Sequence, residues 1–152
     1  MTLDRSHDDK NDTERERLRA LVARLSDTDL ERPMPAGWTI AGVLAHIGFW
    51  DARAVYWMDK WAGGMEPAKP DWETREDVEW INDSAKPICL ALPARDAANL
   101  AMRLAEETDA KVKALSDKTL AKAVAVGVPF ALERASHRGE HLDDIDRALS
   151  KR

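Results

Sequence analysis

The chain has 152 residues, 44% of them hydrophobic and 34% charged, with few glycines and prolines; this suits one helical domain rather than a sandwich or a disordered chain. A formal net charge of −5 argues against a general phosphate-binding surface, so no nucleic-acid partner is expected. No apolar run has the length of a membrane span and the charged first 17 residues do not resemble a signal peptide, so the chain reads as cytoplasmic with no membrane partner; its single cysteine, Cys89, excludes an internal disulfide and any multi-cysteine zinc site.

Residues 1–12 are polar and read as a disordered lead-in, in which His7 is expected to be solvated. Thr13 and Glu16 form a capping-box pattern, and Leu18, Leu21, Val22 and Leu25 follow at helical spacing, which predicts a first helix over 13–26. Pro33, Pro35 and Gly37 mark a connection. The next stretch organises the chain. Ile40, Val43, Ile47, Trp50, Ala54, Trp57 and Trp61 recur at spacings of three and four, Thr39 is placed as N-cap, and Gly63-Gly64 ends the helix. His46 flanks this seam among Gly42, Ala45 and Gly48, small residues that leave room beside an imidazole.

After a proline-containing loop, Thr74 with Asp77 repeats the capping pattern, and apolar residues run from Val78 to Leu92. Pro87 lies inside that segment, and Pro93 suits the first turn of a new helix. Residues 75–115 therefore read as one helix broken near Pro87–Pro93, or as two nearly collinear ones. Residues 116–128 read as a connection with a short helical turn at 117–123. Pro129 opens a last helix to about 149 with a stripe of Leu132, Ala135, Leu142, Ile145 and Leu149. The expected fold is all-α: an antiparallel four-helix bundle with long connections, in a single domain over 13–149.

On the last helix, His137 and His141 stand at i and i+4, which puts both rings on one face about 6 Å apart along the axis. The alternative reading is an exposed polar face shared with Arg138, Glu140 and Asp143. If the seams pack, His46 can join the pair, and three histidines with an open fourth position is the arrangement of a catalytic metal site. A lone histidine in that setting is more often a hydrogen-bonded core residue than a ligand.

The phrase GWTIAGVLAHIGFWD, followed far downstream by HRGEHLDDI, resembles the DinB/YfiT superfamily of four-helix-bundle metalloproteins. It is similar in particular to the branch holding the mycothiol-dependent maleylpyruvate isomerase N-terminal domain and the DfsB/ClbS-like proteins. That resemblance implies a divalent metal, zinc or nickel, on His46, His137 and His141. It also implies a homodimer, and a reaction in which a low-molecular-weight thiol or water attacks a small electrophilic substrate. A small-molecule-binding or self-resistance protein with a dispensable metal is the alternative.

Around such a site Trp50 and Trp57 are candidates to wall a pocket, core packing being the commoner role of a tryptophan, and Arg53 and Arg134 are candidates to hold a substrate carboxylate, a surface salt bridge being the commoner role. Glu140 or Asp144 could orient a ligating ring, and Trp72 and Trp80 could shape the pocket mouth. Cys89 reads as a buried small hydrophobe. Three ordinary imidazoles competing with protons should make metal affinity fall between about pH 7 and 5.

Overall fold

Helical spacing builds nearly the whole chain. The computed structural model describes residues 2–69 and 74–151. Among these residues it contains α1 (Ser6–Arg24), α2 (Asp27–Leu30), α3 (Ile40–Ala62), α4 (Arg75–Ala91), α5 (Ala94–Ala114), α6 (Asp117–Ala125), α7 (Pro129–Leu132) and α8 (Ala135–Ser150), and no strand.

The first helix begins at Ser6 and not at Thr13, so residues 6–12 are helical rather than a disordered lead-in. Asp4 Oδ1 accepts from the Ser6 amide at 2.8 Å, while Thr13 donates to the Asp9 carbonyl at 2.9 Å from inside the helix. The reason is tertiary. Asn11 is buried, donates to the Leu132 carbonyl at 2.8 Å, and accepts from the amides of Arg134 and Ala135 at 2.7 and 3.0 Å. It thus satisfies the orphan donors at the start of α8 from a different helix. His7, expected in solvent, has a side chain only 12% exposed.

α3 forms where its pattern predicts. Thr39 Oγ1 accepts from the Gly42 amide at 2.9 Å, and Gly64 follows the helix at φ +105°. Ile40, Val43, Ile47, Ala54 and Trp61 are buried, and Trp50 and Trp57 half-buried. The small residues of α3 have a different task from the one expected. A Cβ on Gly48 would stand 3.5 Å from the Ala101 Cα, and Ala97, Ala98, Ala101 and Ala105 are all fully buried on α5. Gly48 therefore permits close approach of α3 and α5 rather than making space for an imidazole. A Cβ on Gly42 would meet the Leu90 side chain at 2.7 Å.

The expected third helix is two helices that run in opposite directions. Thr74 and Asp77 cap α4, which continues through Pro87. Leu92 and Pro93, both extended, then turn the chain into α5. Gly42 lies against Leu90 and Trp50 against Asn82, so α4 is antiparallel to α3. Gly48 lies against Ala101 and Lys111 pairs with Asp59, so α5 is parallel to α3. α1 is antiparallel to α5, through Arg5 to the Leu115 carbonyl at 2.9 Å and Arg95 to the Val22 carbonyl at 3.2 Å. α8 runs parallel to α1, with Arg17 on Asp143 at 2.7 Å and Arg24 on Asp146 at 3.1 Å. The bundle of α1, α3, α5 and α8 thus alternates parallel and antiparallel faces, because α4 carries the chain back.

The expected last helix is likewise divided, into α7 and α8. Two apolar clusters fill the interior. One spans α1, α3, α5 and α8 around Leu18, Leu44, Ile47 and Ile145. The other, around Met58, Trp61, Val112 and Leu120, is closed by α6 and α7. Cys89 is buried in the first, and burial raises its thiol pKa, as suits a small hydrophobe.

Candidate metal centre

The antiparallel crossing of α3 and α8 brings the three histidines together. His46 Nε2 and His137 Nε2 are 3.2 Å apart, and the ring centroids of His46, His137 and His141 are separated by 4.7–5.1 Å. One nitrogen from each ring can be chosen so that all three lie within 4.8 Å of one another. Two nitrogens on a tetrahedral ion at 2.0–2.1 Å are about 3.3 Å apart, so the His46–His137 separation already suits a shared ion. The donor set, three imidazoles, suits the later divalent metals.

Burial holds these rings in the neutral form that ligates. Burial, then His141 and Arg134, lower the His46 pKa to about 4. Burial and the Arg134 guanidinium push His137 down to about 2. His141 is also lowered by burial, against the opposing pull of Glu140 and Asp144. Asp144 Oδ2 lies 3.7 Å from His141 Nδ1, in position to orient that ring; Glu140 is exposed and acts on it only through its charge. Arg134 Nη2 lies 3.3 Å from His137 Nδ1. A guanidinium can only donate, so Nδ1 accepts and the His137 proton sits on Nε2, facing His46. Ligation through Nε2 therefore requires Arg134 to leave Nδ1 and the proton to change nitrogens. His46 Nδ1 is buried with no hydrogen-bond partner among the described residues.

One flank of the cluster is sealed by charge. Asp51, fully buried on α3, accepts from Arg134 Nε at 2.9 Å and Arg138 Nε at 3.0 Å. Arg138, also fully buried, donates both terminal nitrogens to Asp109 at 2.9 and 3.0 Å, and Arg15 reaches Asp109 at 2.8 Å. This network spans all four bundle helices. The sequence signal for it was Asp51, the first carboxylate of α3 after the long uncharged run Ile40–Trp50; Arg138, Asp109 and Asn11 gave none.

The expected pocket residues lie on this sealed flank. Trp50 donates to Asn82 at 2.7 Å, stands edge-on to His137 at 6.4 Å, and is covered by Arg53 at 5.0 Å. Trp50, Arg53, Trp57 and Arg134 enclose a space of about 10 Å³, no larger than one water. Arg134 is held by Asp51, so the role expected for it, gripping a substrate carboxylate, is replaced by a structural one.

The wide cavity, about 740 Å³, opens on the other flank. His46 and His141 form its inner wall, and Met34, Pro35, Trp38 and Val43 give it apolar sides. The Pro35–Gly37 turn at its rim holds Ala36 at φ +60°, and Lys86 secures it by donating to the Ala36 carbonyl and covering the Trp38 ring at 5.2 Å. Trp80 is 56% exposed and donates to Asp77, away from the cavity wall; Trp72 lies outside the described residues.

A helical bundle carrying three convergent imidazoles beside a solvent-open cavity defines a class: bundle proteins with a candidate three-histidine metal centre. The family model of the DinB superfamily matches residues 11–141, which include the whole histidine cluster. The chain belongs to the DinB superfamily. No curated protein and no solved structure matches it. Among the described residues no helix is long and apolar enough to cross a membrane.

Proposed function

We propose that this chain is a divalent-metal-dependent enzyme that activates a thiol or water against a small electrophilic substrate. The observation that carries the reading is the meeting of His46, His137 and His141 at the wall of a ligand-sized cavity. His46 and His141 face that cavity, so they would hold zinc or nickel where a substrate can approach; His137 would complete the set from the buried side. Bound there, such an ion lowers the pKa of a coordinated thiol or water and so supplies a nucleophile near neutral pH. The protein's own part is to give the approach apolar sides with Trp38 and Val43, to orient His141 through Asp144, and to fix α8 through Asp51 and Asp109.

A second reading, a small-molecule-binding or self-resistance protein whose metal is dispensable, rests on the apolar cavity sides of Met34, Trp38 and Val43, which can hold a ligand without an ion. Elemental analysis of protein purified without a histidine tag separates the two. About one equivalent of zinc or nickel, lost in His141→Ala, is expected. Metal-free protein that cannot be loaded would end the enzymatic reading. A homodimer in the cytoplasm fits the same proposal, with Trp80 and Ile88 on α4 as exposed apolar surface for the contact. Light scattering near the monomer mass at high concentration would remove the dimer.

A further inference from the structure

The chemistry of the cavity changes along its length, and α8 sets the direction. From His141 the wall follows α8 past Asp144 and Arg147 to Lys151. At 1.5 Å per residue, Arg147 lies about 9 Å along the axis from His141, and Lys151 follows just past the end of α8. Arg32, just beyond α2, lines the same space. The cavity thus has imidazoles at one end, apolar walls along its side, and three cationic side chains displaced from the imidazoles.

Two carboxylates also line it. Asp144 accepts from Arg147 and is balanced by it. That leaves Asp83 against Arg32 and Lys151, neither of which forms an ion pair among the described residues. Among the lining side chains the balance is one positive charge, in a chain whose net charge is −5; outside the lining, Asp29 also faces Arg32. One surplus cation suits a monoanion, whereas a dianion would outnumber the surplus and meet Asp83.

We propose that this cavity binds an elongated monoanion, a carboxylate with an apolar mid-section, whose reacting end lies at the imidazoles and whose carboxylate lies toward Arg147, Lys151 and Arg32. The placement of the reacting end rests on the metal-dependent reading; the preference for a carboxylate does not.

The experiment compares 8-mercaptooctanoate with 8-mercaptooctanol by isothermal titration, on zinc-loaded and metal-free protein. The two probes share thiol and chain and differ only at the far end. The acid should bind about fivefold tighter than the alcohol, the upper range for partly exposed ion pairs. That ratio should persist without zinc, while both affinities fall together. It should vanish in the doubly substituted R147A/K151A protein, which should still load zinc. The short pair, 3-mercaptopropionate and 3-mercaptopropanol, should show no preference, since its carboxylate stops short of Arg147. Equal affinities for the long pair, an undiminished ratio in the double variant, or the same ratio in the short pair would each overturn the proposal. Zinc-independent binding of both long probes would instead count against the metal-dependent reading, leaving the carboxylate preference standing.

Discussion

The two flanks of the histidine cluster use the same helix in opposite ways. At its beginning stand Arg134, just ahead of α8, and Arg138 within it, both buried and paired with buried aspartates. At its end stand Arg147 within α8 and Lys151 just past it, which border an open cavity. The side chains are of the same kind; what differs is the dielectric around them. A buried guanidinium must have every partner in place, and removing one partner is costly, whereas an exposed ion pair contributes little. Division of labour follows: the sealed flank fixes where the imidazoles stand, and the open flank is free to meet a ligand.

The sharpest way to break this contrast is to remove Arg138. Arg138→Met leaves Asp51 and Asp109 as poorly compensated buried charges and should destabilise the protein by about 3–5 kcal/mol in urea unfolding. Arg147→Ala, on the open flank of the same helix, should stay within about 0.5 kcal/mol. Equal effects would show that the buried network is not the element that holds α8.

Acid should act next most strongly, and through the histidines. Their folded pKa values lie below the unfolded value, near 6.5, so the unfolded chain binds more protons as pH falls. The corresponding stability is fully present above about pH 6.5 and is lost as pH falls toward about 4 for His46, and further for His137. Urea midpoints of the metal-free protein measured from pH 7 to 4 should therefore decline, and His46→Phe should flatten the decline. The same burial moves proton competition for metal downward: zinc affinity should fall less steeply between pH 7 and 5 than three imidazoles in water would require. A steep loss already at pH 6 would mean that the imidazoles titrate as in water.

Asp144→Asn should weaken zinc binding by about tenfold, the lower range for a carboxylate that orients a ligating histidine. Glu140→Gln should do less, because Glu140 is exposed and makes no contact with the ring. Equal losses measured by competition with a chelator would remove the orienting role from Asp144. The smallest effect is expected at the cavity rim, where Ala36 adopts φ +60°. Ala36→Gly relieves that backbone and should raise stability by no more than about 1 kcal/mol, visible as a small increase in Tm.

Much of the scaffold was legible because it is written in short-range spacing. Thr39, Thr74 and Asp77 sit where a cap must sit, and Gly63-Gly64 ends α3 as a glycine pair should. The His137–His141 spacing placed two rings on one face before any neighbour was known. The misreadings have a common origin. Thr13 satisfied a local capping pattern, yet the helix extends to Ser6 because Asn11 is needed at the start of α8, far away in sequence. The tryptophans Trp50 and Trp57 had the right helix for a pocket, but Asn82 and Arg53 close that side.

The sequence alone determined most of the helical segments, the caps of α3 and α4, and the shared face of His137 and His141, because those properties depend on residues within a turn or two of one another; His46 joined the pair only through the assumed packing of the seams and the family resemblance. Only the tertiary structure decided that Arg138 is a core residue, that α5 runs parallel to α3, and that the cavity opens beside Asp144 rather than Trp50. Each of these depends on partners from other helices: a buried charge is tolerable only where Asp51 and Asp109 arrive from two further elements, and nothing in the neighbourhood of Arg138 along the chain announces them.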